Sequence, residues 1–99
     1  MRKINLTITG CMGRMGQQLI KSVNKDKAVK ISSLTENYLV NKKFVGVKPQ
    51  KNSEIAFKNA NVIIDFTVPK CTLEILKIAT KLKKRVVIGT TGFTKKGKI

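Results

Sequence analysis

Thr9-Gly10-Cys11-Met12-Gly13-Arg14-Met15-Gly16 is the stretch whose reading decides the fold. It follows Ile4-Asn5-Leu6-Thr7-Ile8, where apolar and polar residues alternate and β-branched groups predict a first strand. After it, Met15, Leu19 and Val23 recur at four-residue intervals with Ile20 widening the stripe, a period that predicts a helix from Arg14 to about Val23. Three glycines at intervals of three therefore sit at a strand-to-helix turn. Backbone amides at such a helix start can face a phosphate.

Outward from that turn the alternation continues. Ala28 to Leu34 reads as a second strand ending at Thr35-Glu36, and Glu36 lies twenty residues after Gly16. An acidic side chain at that distance, at the tip of a second strand, accepts hydrogen bonds from the adenosine ribose in dinucleotide-binding folds. Residues 37–52 lack sustained periodicity and read as an exposed loop containing Gly46 and Pro49, with a short strand at Phe44–Val47. Ser53 is placed to cap a brief helix over Glu54–Lys58. Val62-Ile63-Ile64-Asp65-Phe66 is nearly unbroken apolar sequence, as in a strand covered on both faces. Asp65 interrupts it at its carboxyl end, where a carboxylate caps the following turn.

Pro69 then opens a helix with the stripe Cys71, Ile75, Ile78, Ala79 and Leu82, and Lys81, Lys83 and Lys84 fall near its negative end. Val86-Val87-Ile88 is the next strand, cut off by Gly89-Thr90-Thr91-Gly92; Thr94 starts a further helix within which the chain stops, which reads as a truncation. The pattern predicts an α/β fold, a parallel sheet with helices on both faces. Ligands bind such sheets at the carboxyl ends of the strands. The glycine turn, Glu36, Phe66-Thr67 and Gly89-Thr90-Thr91 all follow strands, so all four are expected on that edge.

Composition narrows the classes. At 99 residues, 41% hydrophobic and 26% charged, the chain is one small globular domain, residues 1–99, or part of a larger protein. The net charge of +16 suggests nucleic acid as a partner. Against it, only Arg2, Arg14 and Arg85 among 21 basic residues are arginine, and the few aromatic residues form no stacking platform. Cys11 and Cys71 lack metal-ligand spacing and the chain has no histidine, so no metal site is expected. No segment reaches a membrane span and the start lacks a secretion signal, which makes a cytoplasmic protein the default expectation.

The glycine spacing is G-x-x-G-x-x-G, with Met12 where the common dinucleotide fingerprint has its second glycine. Gly10 to Gly16, then Asp65-Phe66-Thr67, then Gly89-Thr90-Thr91-Gly92-Phe93 resemble, in order, the signature of the 4-hydroxy-tetrahydrodipicolinate reductase (dihydrodipicolinate reductase) family. The resemblance spans essentially the whole chain. It implies a Rossmann-like domain, incomplete relative to a two-domain bacterial enzyme that uses NADH or NADPH to reduce a cyclic dicarboxylate in the diaminopimelate branch of lysine synthesis. Carried over by position, Gly10, Cys11, Met12, Gly13, Arg14 and Met15 would wrap the pyrophosphate, and Glu36 would hold the adenosine ribose. Phe66 and Thr67 would lie towards the nicotinamide, bordered by Gly89, Thr90 and Thr91, with Thr91 also near the substrate.

Family enzymes supply their acid chemistry and substrate carboxylate contacts from a histidine-rich second domain that also carries tetramer formation. This chain has no histidine, so no catalytic residue is expected on it, and cofactor binding without turnover is. Asn37 and Tyr38 stand where several relatives have a base for the NADPH phosphate, which implies NADH at least as good. Two other readings compete: a small basic nucleic-acid-binding domain, and a free-standing Rossmann-type nucleotide-binding module.

Overall fold

The structure, a computed structural model, describes residues 4–89. The predicted Thr90, Thr91 and Gly92 and the helix started by Thr94 lie outside the described residues. In chain order the elements are β1 (Ile4–Thr9), α1 (Arg14–Asn24), β2 (Val29–Glu36), β3 (Gln50–Lys51), α2 (Glu54–Phe57), β4 (Val62–Asp65), α3 (Pro69–Leu82) and β5 (Arg85–Ile88). The strands form one sheet in the order β3-β2-β1-β4-β5, and every neighbouring pair is parallel. β1 is therefore the central strand, and the segments that leave β1, β2, β4 and β5 share one edge.

Each face of the sheet carries its own core. Leu6, Ile8, Ile31 and Leu34 pack with Ile20 and Val23 of α1. Ile63 packs with Ala56 and Phe57 of α2, Ala60, and Ile75 and Ala79 of α3. The division follows from the pleat, since successive side chains of a strand point to opposite faces. One irregularity in β2 matters: the register against β1 slips after Leu6, which pairs with Ile31, so that Thr7 pairs with Ser33 and Ile8 with Leu34. Ser32 is the extra residue of a bulge. It lets Ile31 and Leu34, three apart, enter the same core, which explains why alternation in this stretch is weak.

The bulge leaves the Thr7 and Ser33 hydroxyls on the α2 side, and these two are paired. Ser33 donates to the Ala56 carbonyl at 2.5 Å, and the Thr7 and Ser33 hydroxyls lie 2.7 Å apart. With the Ser33 proton committed to Ala56, Thr7 donates to Ser33.

Three details differ from expectation. The buried face of α1 is Gly16, Ile20 and Val23, while Met15 is 50% exposed; the glycine, which brings the helix against the turn, sets the rotation of the first turn. Phe44 and Val47 form an isolated antiparallel bridge around Val45-Gly46, not a strand in the sheet. Both central residues have positive φ, 45° and 81°. The edge strand β3 is only two residues long and has no sequence signal. The Ser53 cap is present, its hydroxyl accepting from the Ala56 amide at 3.1 Å.

Candidate functional site

The turn from Gly10 to Gly16 is built by glycines with different reasons. Gly10 has φ +65°, and a Cβ there would lie 3.0 Å from the Phe66 backbone. A Cβ on Gly16 would lie 2.6 Å from the Gly10 carbonyl oxygen and 2.8 Å from Cys11 Cα. Both are required by backbone packing. Gly13 is not: its φ is −75°, and its nearest contact would be 3.4 Å away.

Gly13 is also the N-cap of α1, a position where Ser, Thr, Asp or Asn would satisfy the free amides of the first turn. No side chain caps α1, and its first turn has no acidic residue but does carry Arg14. The positive end of the helix is thus left open beside a half-open cleft. That cleft measures about 190 Å³ and is lined by Gly10, Gly13, Glu36, Asn37, Phe66, Thr67, Val68 and Cys71.

Glu36 faces the cleft from the end of β2 and is 7% exposed. One carboxylate oxygen accepts from the Met12 amide at 2.9 Å, and the other accepts from the Asn37 amide at 3.2 Å. The Cys11 amide donates to the Thr35 carbonyl, which ties the glycine turn to β2. The carboxylate is thereby fixed in place with lone pairs to spare. Cys11 itself is fully buried in the α1 core. Burial and the nearby Glu36 charge push its thiol up to about 11, so only its backbone is available to a ligand.

From the other side, Phe66 spans core and cleft: its ring packs against the α1 core while the residue lines the cavity. Gly89 fits beneath it, since a Cβ there would lie 2.5 Å from the ring, and the Gly89 amide donates to the Asp65 carbonyl at 2.7 Å. Asp65 is fully buried. It accepts from the hydroxyl of Thr9 at 2.7 Å and from the amide and hydroxyl of Thr67 at 2.9 and 2.5 Å; the Thr72 hydroxyl donates to its second oxygen. Burial alone would raise its pKa. The hydrogen bonds from Thr67, Thr72 and Thr9 outweigh that and hold the carboxyl below its usual value. The expected turn-capping role is met by the Thr67 amide, and the carboxylate does more, joining β1, the β4–α3 turn and α3.

Of the predicted site residues, Gly10, Gly13, Glu36, Phe66 and Thr67 converge on one cleft. Met12 is half-buried, with its amide held by Glu36, and Arg14 and Met15 are exposed on the first turn of α1. Gly89 supports Phe66 from behind, and Thr90 and Thr91 lie outside the described residues. Asn37, read from the sequence only for its bearing on cofactor choice, also lines the cleft, as do Val68 and Cys71, which sequence reasoning did not assign to the site; their only signal was position at a helix start. Among the described residues no group of histidine, cysteine, aspartate and glutamate could hold a metal ion, and no helix is long and apolar enough to cross a membrane.

An uncapped helix start beside a carboxylate at the next strand end fits a pyrophosphate joined to a ribose diol. Comparison with known proteins places the chain in a family. The family model described as "Dihydrodipicolinate reductase, N-terminus" matches residues 4–98. The 4-hydroxy-tetrahydrodipicolinate reductase of Pelagibacter ubique (strain HTCC1062) is 65% identical over 96 residues, covering 97% of this chain and 37% of the relative. That of Buchnera aphidicola subsp. Acyrthosiphon pisum (strain Tuc7) is 36% identical over 105 residues, 95% of this chain and 39% of the relative. Among solved structures, the dipicolinate-bound dihydrodipicolinate reductase from Paenisporosarcina sp. TG-14 superposes with a TM-score of 0.73 at 25% identity, over 94% of this chain and 39% of that one. The chain thus spans less than two-fifths of the length of these relatives. With the family model matched over nearly its whole length, the chain belongs to the dihydrodipicolinate reductase family, over that family's N-terminal part.

Proposed function

We propose that residues 1–99 bind NADH or NADPH for a 4-hydroxy-tetrahydrodipicolinate reductase of bacterial lysine synthesis, a cytoplasmic homotetramer in its full form. The observation that carries this reading is Gly13, a glycine that neither packing nor backbone angle requires, at an uncapped helix start on the cleft. Its missing side chain is accounted for by a phosphate drawn close to the α1 amides. Arg14 adds a charge beside that phosphate, and Glu36 accepts from the adenosine ribose hydroxyls. Phe66, Thr67 and Gly89, with Thr90 and Thr91, hold the nicotinamide half, and Thr91 meets the substrate.

When bound, the cofactor supplies a hydride to the cyclic dicarboxylate. The residues of this chain orient it. No histidine is present to protonate the product, so the chain binds cofactor and turns over nothing by itself. NADH binds at least as well as NADPH, because no lysine or arginine lines the cleft while Glu36 does, and Lys42 lies over the Phe44 ring at 5.4 Å. A 2′-phosphate beside that carboxylate would meet like charge.

Calorimetric titration of the chain with NADH and NADPH tests the proposal, with Gly13→Asp alongside. The variant is expected to fold, with α1 stabilised by about 1 kcal/mol through a restored cap, and to lose NADH. A wild-type chain that ignores both dinucleotides would sink the reading, and so would a Gly13→Asp variant that binds NADH normally.

A further inference from the structure

The Asp65 cluster does more than brace the fold, because it fixes the polarity of a group in the cleft. A hydroxyl has one proton to donate and two lone pairs to accept with, whereas an ionised carboxylate only accepts. Thr67 Oγ1 lies 2.5 Å from Asp65 Oδ1, against 3.4 Å from the Val68 carbonyl and 3.4 Å from the Thr72 hydroxyl. The proton therefore goes to Asp65, and acceptor capacity is all the Thr67 hydroxyl retains. Asp65 stays ionised to do this, with its carboxyl held below the ordinary range by the hydroxyls around it.

The strand order says which part of a ligand meets Thr67. β1 is central, with β2 on one side and β4 on the other. With the pyrophosphate at the first turn of α1 and the adenosine ribose at Glu36 on the end of β2, the other half of a dinucleotide runs across the end of β4. Thr67 stands two residues past β4 and lines the cleft. We propose that Asp65 is a positioning residue that makes Thr67 a pure acceptor, so that the site selects a hydrogen-bond donor on the nicotinamide half of the cofactor. The donor is an N–H of the carboxamide or an O–H of the nicotinamide ribose; a phosphate or carboxylate oxygen at that point would face lone pairs. This assignment rests on the cofactor reading above.

Three ligands separate the possibilities. NADH carries both donors, ADP-ribose keeps the second ribose without the carboxamide, and ADP has neither. Thr67→Val, which keeps the shape and removes the hydroxyl, is expected to weaken NADH about tenfold, the scale of one hydrogen bond, and to leave ADP unchanged. Loss confined to NADH assigns the carboxamide, and equal loss for ADP-ribose assigns the ribose hydroxyl. Thr67→Ser restores binding. Asp65→Asn, whose amide can donate to Thr67 and turn its proton outwards, reproduces the selective loss of NADH; should that variant not fold, Thr67→Val and Thr67→Ser decide. The proposal is overturned if Thr67→Val binds NADH as tightly as wild type, or if ADP weakens in parallel. A wild-type chain that binds neither NADH nor ADP would overturn the cofactor reading and this assignment with it, whereas ADP binding with an unaffected NADH response condemns the assignment alone.

Discussion

A methyl group on Gly16 would meet backbone, the Gly10 carbonyl and Cys11 Cα, neither of which can move aside without opening the turn. Gly16→Ala is therefore expected to destabilise the fold by about 2–4 kcal/mol, read as a shift in the urea midpoint. A change under about 0.5 kcal/mol would show that the turn is softer than its contacts imply. At Asp65 the sign of the pH dependence follows from the depressed folded-state pKa. Its contribution is present above the unfolded value, about 3.9, and is lost as pH falls through the lower folded value. Stability curves measured from neutral pH into acid should fall below that value for wild type, with a shallower fall for Asp65→Asn; parallel curves would exclude the carboxylate as a source of the slope. The two cysteines should also separate. Cys11 is buried and its thiol is raised to about 11, while Cys71 is half-buried on the cleft. Iodoacetamide at mildly alkaline pH, followed by mass spectrometry, should label Cys71 in the folded chain and Cys11 only after unfolding.

Among the elements, β1, α1, β4 and α3 were legible because each carries a strong period or a continuous apolar run, with Gly10 and Pro69 marking the boundaries. β2 was legible in place but not in detail, since the Ser32 bulge breaks the alternation that reveals a strand. β3 could not be read, because two exposed residues, Gln50 and Lys51, have no face to bury. The same limit applies to the site. Gly10, Gly13, Glu36, Phe66 and Thr67 announce themselves by type and by their place at or after strand ends, while Val68 and Cys71 line the cleft only because neighbouring elements bring them there. The Phe44–Val47 turn offers a test at this scale. Val45, β-branched, has φ 45°, a conformation that suits Asn and strains valine. Val45→Asn creates Asn-Gly at the two positive-φ positions and is expected to stabilise the chain by about 1 kcal/mol. A lower melting temperature in the variant would mean that the valine side chain contributes more than its backbone costs.

For the molecule as a whole, 21 basic residues against 5 acidic ones leave a charge of +16 on a small body. Self-repulsion of that size opposes compaction, and screening relieves it over a length of about 10 Å at 0.1 M salt. Melting temperature should rise with added sodium chloride, while affinity for an anionic dinucleotide falls over the same range. A melting temperature independent of salt would show that the lysines are too far apart to repel one another measurably. The single exposed ion pair among the described residues, Lys81 with Glu54 at 2.7 Å, does little to offset this.

The central position of β1 has a consequence in time. Of the strands in this sheet, β1 is synthesised before the others, and it is hydrogen-bonded on one side to β2 and on the other to β4, residues 62–65. Until those residues leave the ribosome, the strand that carries the glycine turn has an open edge and half of its partners are missing. Folding of this sheet therefore waits on the synthesis of β4 and is set by long-range pairing rather than by the order in which its elements appear.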